Sequence, residues 1–357
     1  MQRTRRIAIL ADGAFSILGA KTAVGVIRYS RHNVVAVIDS MQAGKTVGEV
    51  IGFGGQIPIV RDVEEAAALN PDVLLIGIAP TGGQLPPRFR HFVLEAIRHR
   101  MDVWSGLHYF LSDDEELVAE AARWGVELWD VRKPRHDLIV GSGKALHTRA
   151  LTVLTVGTDC NVGKMTAALE LRNACTARGY RAEFVATGQT GILIEGRGTP
   201  LDAVPGDFMS GEVERLVLEC DEKGADVIFV EGQGSLLHPG FGPVTLALML
   251  GAMPDTYVLC SVPQRTRYRP DHVIPIPPIE QVIRLYEDVM SVAYKAPKVI
   301  GVALNTSGMS DEECHSVIEE YHKRTGLPVC DALRTGVDYL LSPLLPLIER
   351  KREARSL

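Results

Sequence analysis

VGTDCNVGKMTAALEL, residues 156–171, is the stretch on which the reading of this chain turns. A β-forming run ends in Gly157, five residues pass, and Gly163-Lys164 opens a helical pattern. A strand, a glycine loop and a helix start, in that order, bring unpaired backbone N–H groups and the positive end of a helix dipole to one place, which makes an anion site. The usual phosphate loop is G-x-x-x-x-G-K-Ser/Thr; here Gly157 and Gly163 enclose five residues, and Met165 stands where the hydroxyl belongs. That hydroxyl ordinarily ligates Mg²⁺ during phosphoryl transfer. Thr166 follows one residue later, and one helical step turns a side chain by about 100° and advances it about 1.5 Å, so Thr166 does not restore the ligand without distortion. Gly157, Thr158, Asp159, Cys160, Asn161, Val162, Gly163, Lys164, Met165 and Thr166 are therefore expected to hold a phosphorylated cofactor without cleaving it, coenzyme A as readily as ATP.

Outward from this loop, strand-like runs alternate with helical ones. LTVLTVG (151–157), EFVAT (183–187), VIFVEG (227–232), TYVLCS (256–261) and KVIGVALN (298–305) form one series, and the chain after it is helical by composition. An earlier series comprises IAIL (7–10), VVAVID (34–39), DVLLIGIA (72–79), MDVWSG (101–106) and VELWDV (126–131). Strands alternating with helices imply parallel sheets with right-handed crossovers. The reading is α/β with two consecutive parallel-sheet domains, a Rossmann-like domain over 1–140 and a P-loop NTPase-like domain over 141–357. A length of 357 residues agrees with two domains.

Composition narrows the function classes. Lys and Arg number 38 against 44 Asp and Glu, a net charge of −6 without a basic stripe, which argues against nucleic acid as a partner. Six scattered cysteines form no Cys-x-x-Cys pair, so no metal site is expected and the thiols read as buried in a reducing cytosol. The start imitates a signal peptide, but Asp12 and Lys21 break its apolar run. No run approaches the roughly 20 residues of a membrane span. A cytoplasmic protein without membrane association is expected.

In the second half, Glu231 ends a strand at the carboxyl edge of its sheet, where open α/β sheets bind ligands. Asn305, ending another strand, reads as a turn cap, and its position resembles that of the Asn with which relatives of this P-loop class recognise adenine. The first half lacks G-x-G-x-x-G; Asp39 ends its second strand where NAD-binding domains keep a ribose acid, and Gly19-Ala20-Lys21-Thr22 is a second candidate anion site.

The loop's spacing, with Thr158 and Asp159 after the first glycine, resembles that of dethiobiotin synthetase and its P-loop relatives, where an acid in the position of Glu231 helps to hold metal. More broadly, LGAKTAVGVIRY (18–29), APTGGQLP (79–86), GTDCNVGKMTAALEL (157–171), ATGQTG (186–191), GDFMSGEVE (206–214), EGQGSLLHPGF (231–241) and GVALNT (301–306) resemble a bacterial family catalogued as a domain of unknown function. Its members pair a Rossmann-like domain with a P-loop domain. Some have been named NAD-dependent epimerases or dehydratases; others act as D-glutamate N-acetyltransferases using acetyl-CoA in D-amino-acid catabolism. The second activity suits the missing hydroxyl, because a thioester is already activated and needs no phosphoryl transfer.

The resemblance thus implies an acetyl-CoA-dependent N-acetyltransferase acting on an acidic amino acid, D-glutamate first, in a homo-oligomer. The matched motifs offer Glu231, Asp207 and His238 for proton transfer, with Asp12 a further acid, and Gln189, Thr190 and Ser210 for the substrate. Arg267 and Arg269, with Arg265 in the same loop, offer bidentate donors to carboxylates. The alternatives are an ATP- and Mg²⁺-dependent ligase or carboxylase of the dethiobiotin synthetase type, an NAD-dependent epimerase or dehydratase, and a ligand-sensing module without turnover.

Overall fold

A computed structural model describes residues 3–80, 82–268 and 273–356. The chain folds as two compact units. One comprises the chain up to Arg135 together with Gly188–Ala203, and the other His136–Thr187 together with the chain from Val204 onward. Residues 188–203, which sequence order assigns to the second half, thus pack in the first unit.

The first unit is a parallel sheet of β1 (Arg6–Leu10), β2 (Asn33–Ile38), β3 (Ile59–Val60), β4 (Val73–Ile76), β5 (Asp102–Ser105) and β6 (Leu128–Asp130), ordered β3-β2-β1-β4-β5-β6. This is the strand order of dinucleotide-binding folds, with its topological switch between β1 and β4. β4, VLLI, is buried along its length, as a parallel strand covered on both faces should be. The helix Pro87–Arg98 covers one face with Phe89, Phe92, Val93, Ala96 and Ile97, the i, i+3/i+4 spacing of an amphipathic helix. Each large side chain buried this way contributes about 1.5–3 kcal/mol. Asp114 caps the next helix, Glu115–Trp124, by accepting from Leu117 N, and ion-pairs with Arg90, which holds its carboxyl well below the usual carboxylate range. β3 has two residues, too few for an alternating pattern to reveal.

The second unit is a parallel sheet of β7 (Leu151–Gly157), β8 (Ala182–Val185), β9 (Val227–Val230), β10 (Thr256–Ser261), β11 (Lys298–Leu304) and β12 (Val329–Asp331), ordered β12-β11-β10-β7-β9-β8. β7 is central and buried at all seven positions. From β7 the chain crosses to the edge strand β8 and returns through β9, whereas β10 pairs on the other side. The crevice beyond the carboxyl end of β7 is therefore the switch point at which such sheets hold ligands. β12 sits among residues whose composition suggests helix, and the closing helix, Asp338–Ser356, runs through Pro343 and Pro346. No described helix is long and apolar enough to cross a bilayer, and all six cysteines are free and buried.

Candidate functional site: a phosphate-type loop at the end of β7

Beyond Gly157 the loop reaches the helix Lys164–Ala177 through two left-handed residues, Asn161 (φ 54°) and the N-cap Gly163 (φ 100°). A Cβ at Gly157 would stand 2.8 Å from Val162 Cγ2 and 2.9 Å from Lys164 Nζ, so a larger residue there would displace the lysine. Lys164 is buried, and its ammonium donates to the carbonyls of Asp159 (2.8 Å) and Gly234 (2.9 Å). Desolvation pushes its pKa below the ordinary lysine value, opposed by the nearby Cys160 and Cys260 thiols, Asp159 and Glu231. The second unit thus centres a cation on the helix start of its switch point.

Asp159 is fully buried; its Oδ1 accepts from Cys160 N (2.6 Å) and its Oδ2 from Arg265 Nη1 (2.9 Å). Arg265 Nη1 also donates to Cys160 O (2.6 Å), so one guanidinium clamps the loop from outside. Tyr286 secures the strand end by donating to Gly157 O (2.9 Å), and Thr158 pairs with Ser261 through their hydroxyls (3.1 Å).

Asp159, Cys160 and His238 offer a carboxylate, a thiol and an imidazole within 4.8 Å of one another, a spacing that suits a cation. The protonation of His238 does not. Its Nδ1 accepts from Gly240 N (3.1 Å) and Phe241 N (3.2 Å), which puts the proton of the neutral ring on Nε2. Nε2 stands 3.8 Å from Asp159 Oδ1 and presents N–H there, not a lone pair. The ring is therefore arranged as a donor toward Asp159, edge-on to Tyr268.

Glu231, buried at the end of β9, accepts from Thr187 N (2.9 Å) through Oε2, and Thr187 Oγ1 donates to its carbonyl (2.8 Å). At the next residue, Gly232, a Cβ would overlap the Thr155 carbonyl and stand 3.0 Å from Lys164 Cδ. The EGQG segment thus lies directly against the lysine. Asn305 also reaches the loop: its Cβ is 3.8 Å from the position a Cβ on Gly163 would take. Its Oδ1 accepts from Ser307 N (3.1 Å), an Asx turn that fixes the amide.

The remaining candidates lie elsewhere. Asp207 is exposed on the turn Gly206–Phe208. Ser210 packs on the helix Met209–Glu222 against Gly141 and Gly251. Arg267 is exposed and donates to Val273 O in its own loop, while Arg269 lies outside the described residues. Gln189 and Thr190 belong to the first unit, where Gln189 Oε1 accepts from Arg132 Nη2 (2.7 Å) and Thr190 Oγ1 meets Thr22 Oγ1 (3.2 Å). Arg132 had no sequence motif to mark it, and Tyr286 stands in an ordinary amphipathic helix.

At the first unit's switch point the acids face inward. Asp39 accepts from Phe15 N (2.9 Å) and Met41 N (2.9 Å), one on each oxygen, and Asp12 accepts from Ser40 N (2.8 Å) and ion-pairs with Arg88 (2.9 Å). An open cavity of about 460 Å³ lies beside them, lined by Gly13 to Ser16, Gly19, Asp39, Met41 and Gln42. The carboxylate that would meet a ribose is thus engaged with backbone on both oxygens.

Comparison with known proteins agrees with this architecture. Residues 139–341 match the P-loop domain, and residues 40–134 the Rossmann-like domain, of the family DUF1611, a domain of unknown function. A D-glutamate N-acetyltransferase from Tritonibacter scottomollicae is 36% identical over 346 residues, 96% of this chain and 99% of the relative. One from a Pseudoalteromonas species is 38% identical over 280 residues, 78% and 83% of the two chains. The crystal structure of a DUF1611 family protein from Anabaena variabilis superposes with a TM-score of 0.92 at 41% identity, covering 96% of this chain and all of the other.

Proposed function

The chain belongs to the DUF1611 family, and from that premise we propose that it is a D-glutamate N-acetyltransferase that takes its acetyl group from acetyl-CoA. The observation that carries the reading beyond kinship is the loop at the end of β7. It keeps a buried lysine on a helix start and lacks, at Met165, the hydroxyl that phosphoryl transfer requires of such a loop. A pre-formed thioester needs only to be held.

In this reading Lys164 and the N–H groups at the start of its helix bind phosphates of coenzyme A, and the fixed Asn305 amide beside Gly163 faces the adenine. Glu231 and His238 lie at the same loop, where they set the charge around Lys164 and Asp159. The thioester of acetyl-CoA sits at the far end of a long pantetheine arm from its phosphates, so acceptor chemistry belongs elsewhere than the loop. The relatives' activity makes D-glutamate the expected acceptor, and a place in D-amino-acid catabolism follows from it. The proposal includes a cytoplasmic homo-oligomer.

The test is thiol release from acetyl-CoA by the purified chain, without added metal or ATP, with D-glutamate, L-glutamate or no amino acid, and mass analysis of the product. Release that depends on D-glutamate and yields N-acetylglutamate supports the reading. Mg²⁺-dependent ATP consumption with no release for any acceptor would replace it with the ligase alternative.

A further inference from the structure

Parts of two motifs behind the family resemblance, residues 82–86 of APTGGQLP and 188–191 of ATGQTG, lie in the first unit. Arg132, two residues past β6, is buried and sits at the carboxyl edge of that sheet, where α/β sheets hold ligands. Its Nε donates to Gly106 O (2.7 Å), its Nη2 to Gln189 Oε1 (2.7 Å), and its Nη1 ion-pairs with Asp202. Asp202 spends Oδ2 on that pair, while its Oδ1 is buried and meets no donor among the described residues. A buried carboxylate oxygen without a donor is costly, and a ligand that supplies one removes the cost. One residue on from Gln189, the Thr190 hydroxyl meets that of Thr22.

His108 completes the cluster, with Nε2 4.0 Å from Asp202 Oδ2. Gly83 seats its ring: it has φ +65°, a Cβ there would stand 2.5 Å from His108 Cδ2, and Gly83 O accepts from His108 N (3.0 Å). Burial first, then the Arg132 charge, lower the pKa of His108, with Asp202 opposing, so the ring is unprotonated at neutral pH and has a lone pair with which to take up a proton.

We propose that Arg132, Asp202, Gln189, Thr190 and Thr22 form the binding site for the acceptor amino acid, with His108 as the base that frees its amine. The proposal rests on the acetyltransferase reading for its chemistry but not for its geometry. A zwitterion matches the ion pair in reverse: its carboxylate takes the planar guanidinium and its ammonium the orphan Asp202 Oδ1. The ammonium gives one proton to His108, and the amine attacks the thioester carbonyl. The C–N bond forms as the C–S bond breaks, a second N–H proton goes to the departing thiolate, and one proton in net is released to solvent.

The experiment measures D-glutamate binding by calorimetry on the full chain without cofactor, then kcat and KM for each substrate, in the wild type, Asp202→Asn, Arg132→Lys and His108→Gln. Asp202→Asn and Arg132→Lys are expected to weaken D-glutamate binding on the order of 100-fold and to leave acetyl-CoA binding unchanged. His108→Gln, at a half-exposed position, is expected to keep D-glutamate binding and lower kcat on the order of 100-fold. Should the ion-pair variants not fold, His108→Gln decides, and an unchanged kcat there overturns the proposal. Wild type that acetylates D-glutamate, with all three variants equally active, overturns this site and keeps the acetyltransferase reading. D-glutamate binding lost in the variants, with no thiol release by the wild type, does the reverse.

Discussion

At the end of β7 the chain closes around Lys164, whose ammonium rests on two backbone carbonyls; at the end of β1 the corresponding loop closes around Asp12 and Asp39, whose carboxylates collect the backbone N–H groups of Phe15, Ser40 and Met41. Both ends stand over a six-stranded parallel sheet at its topological switch. Layout alone would make each a nucleotide site. A buried cation beside a helix start attracts phosphate, whereas two buried carboxylates that hold the loop together repel it. The contrast shows that a dinucleotide-type strand order does not by itself decide what a unit binds, because function is decided at the site and not by the fold.

The largest expected effect that sharpens this contrast is Lys164→Ala. It should lower kcat/KM for acetyl-CoA by about 100-fold or more, measured by thiol release, since a charge-assisted phosphate contact is lost in a desolvated site. The pH dependence carries the same logic. Burial lowers the Lys164 pKa below its ordinary 10.5, so with rising pH the native chain sheds this proton before the unfolded chain does. Between the two values the unfolded state binds more protons, so this residue's contribution to stability rises with pH while acetyl-CoA affinity falls. Across that alkaline window the melting temperature and the KM for acetyl-CoA should therefore rise together.

Next comes Gly232→Ala, whose Cβ would overlap the Thr155 carbonyl beside Lys164. A loss of about 3 kcal/mol in denaturant unfolding is expected, and a stability within error of wild type would show that the EGQG segment does not press on the lysine. Asp39→Asn should cost about 1–2 kcal/mol and leave acetyl-CoA turnover unchanged, since its carboxylate serves only Phe15 and Met41 among the described residues. Nicotinamide-dinucleotide binding that disappears with this change would break the comparison. The smallest effect is expected of Met165→Ser: acetyl transfer unchanged, with any Mg²⁺-dependent ATP hydrolysis confined to the variant.

The loop, its defect and both parallel sheets are legible in linear order because they depend on local pattern: an apolar run, glycines where φ is positive, and a helix start within sixteen residues. β3 escapes because a strand of two residues carries no period, and β12 because its three residues sit in a stretch whose composition suggests helix. Among the site residues, Asn305 and Glu231 could be placed, since a strand's last residue always reaches the carboxyl edge of its sheet. The engagement of Arg265 with Asp159, over 100 positions away, could not, because nothing local distinguishes one arginine of QRTRYRP from the next.

From its amino acids alone this chain is committed to two α/β units and to a glycine loop that leads from a strand into a helix start without a magnesium hydroxyl, because helix starts, strand runs and glycine dihedrals are short-range properties. Tertiary structure alone assigns Gln189 and Thr190 to the first unit, turns Asp39 and Asp12 onto the backbone, sets the tautomer of His238, and leaves an oxygen of Asp202 without a donor among the described residues. Each of these depends on which distant donor reaches which acceptor, and that is decided only when the sheets have closed and water has been excluded.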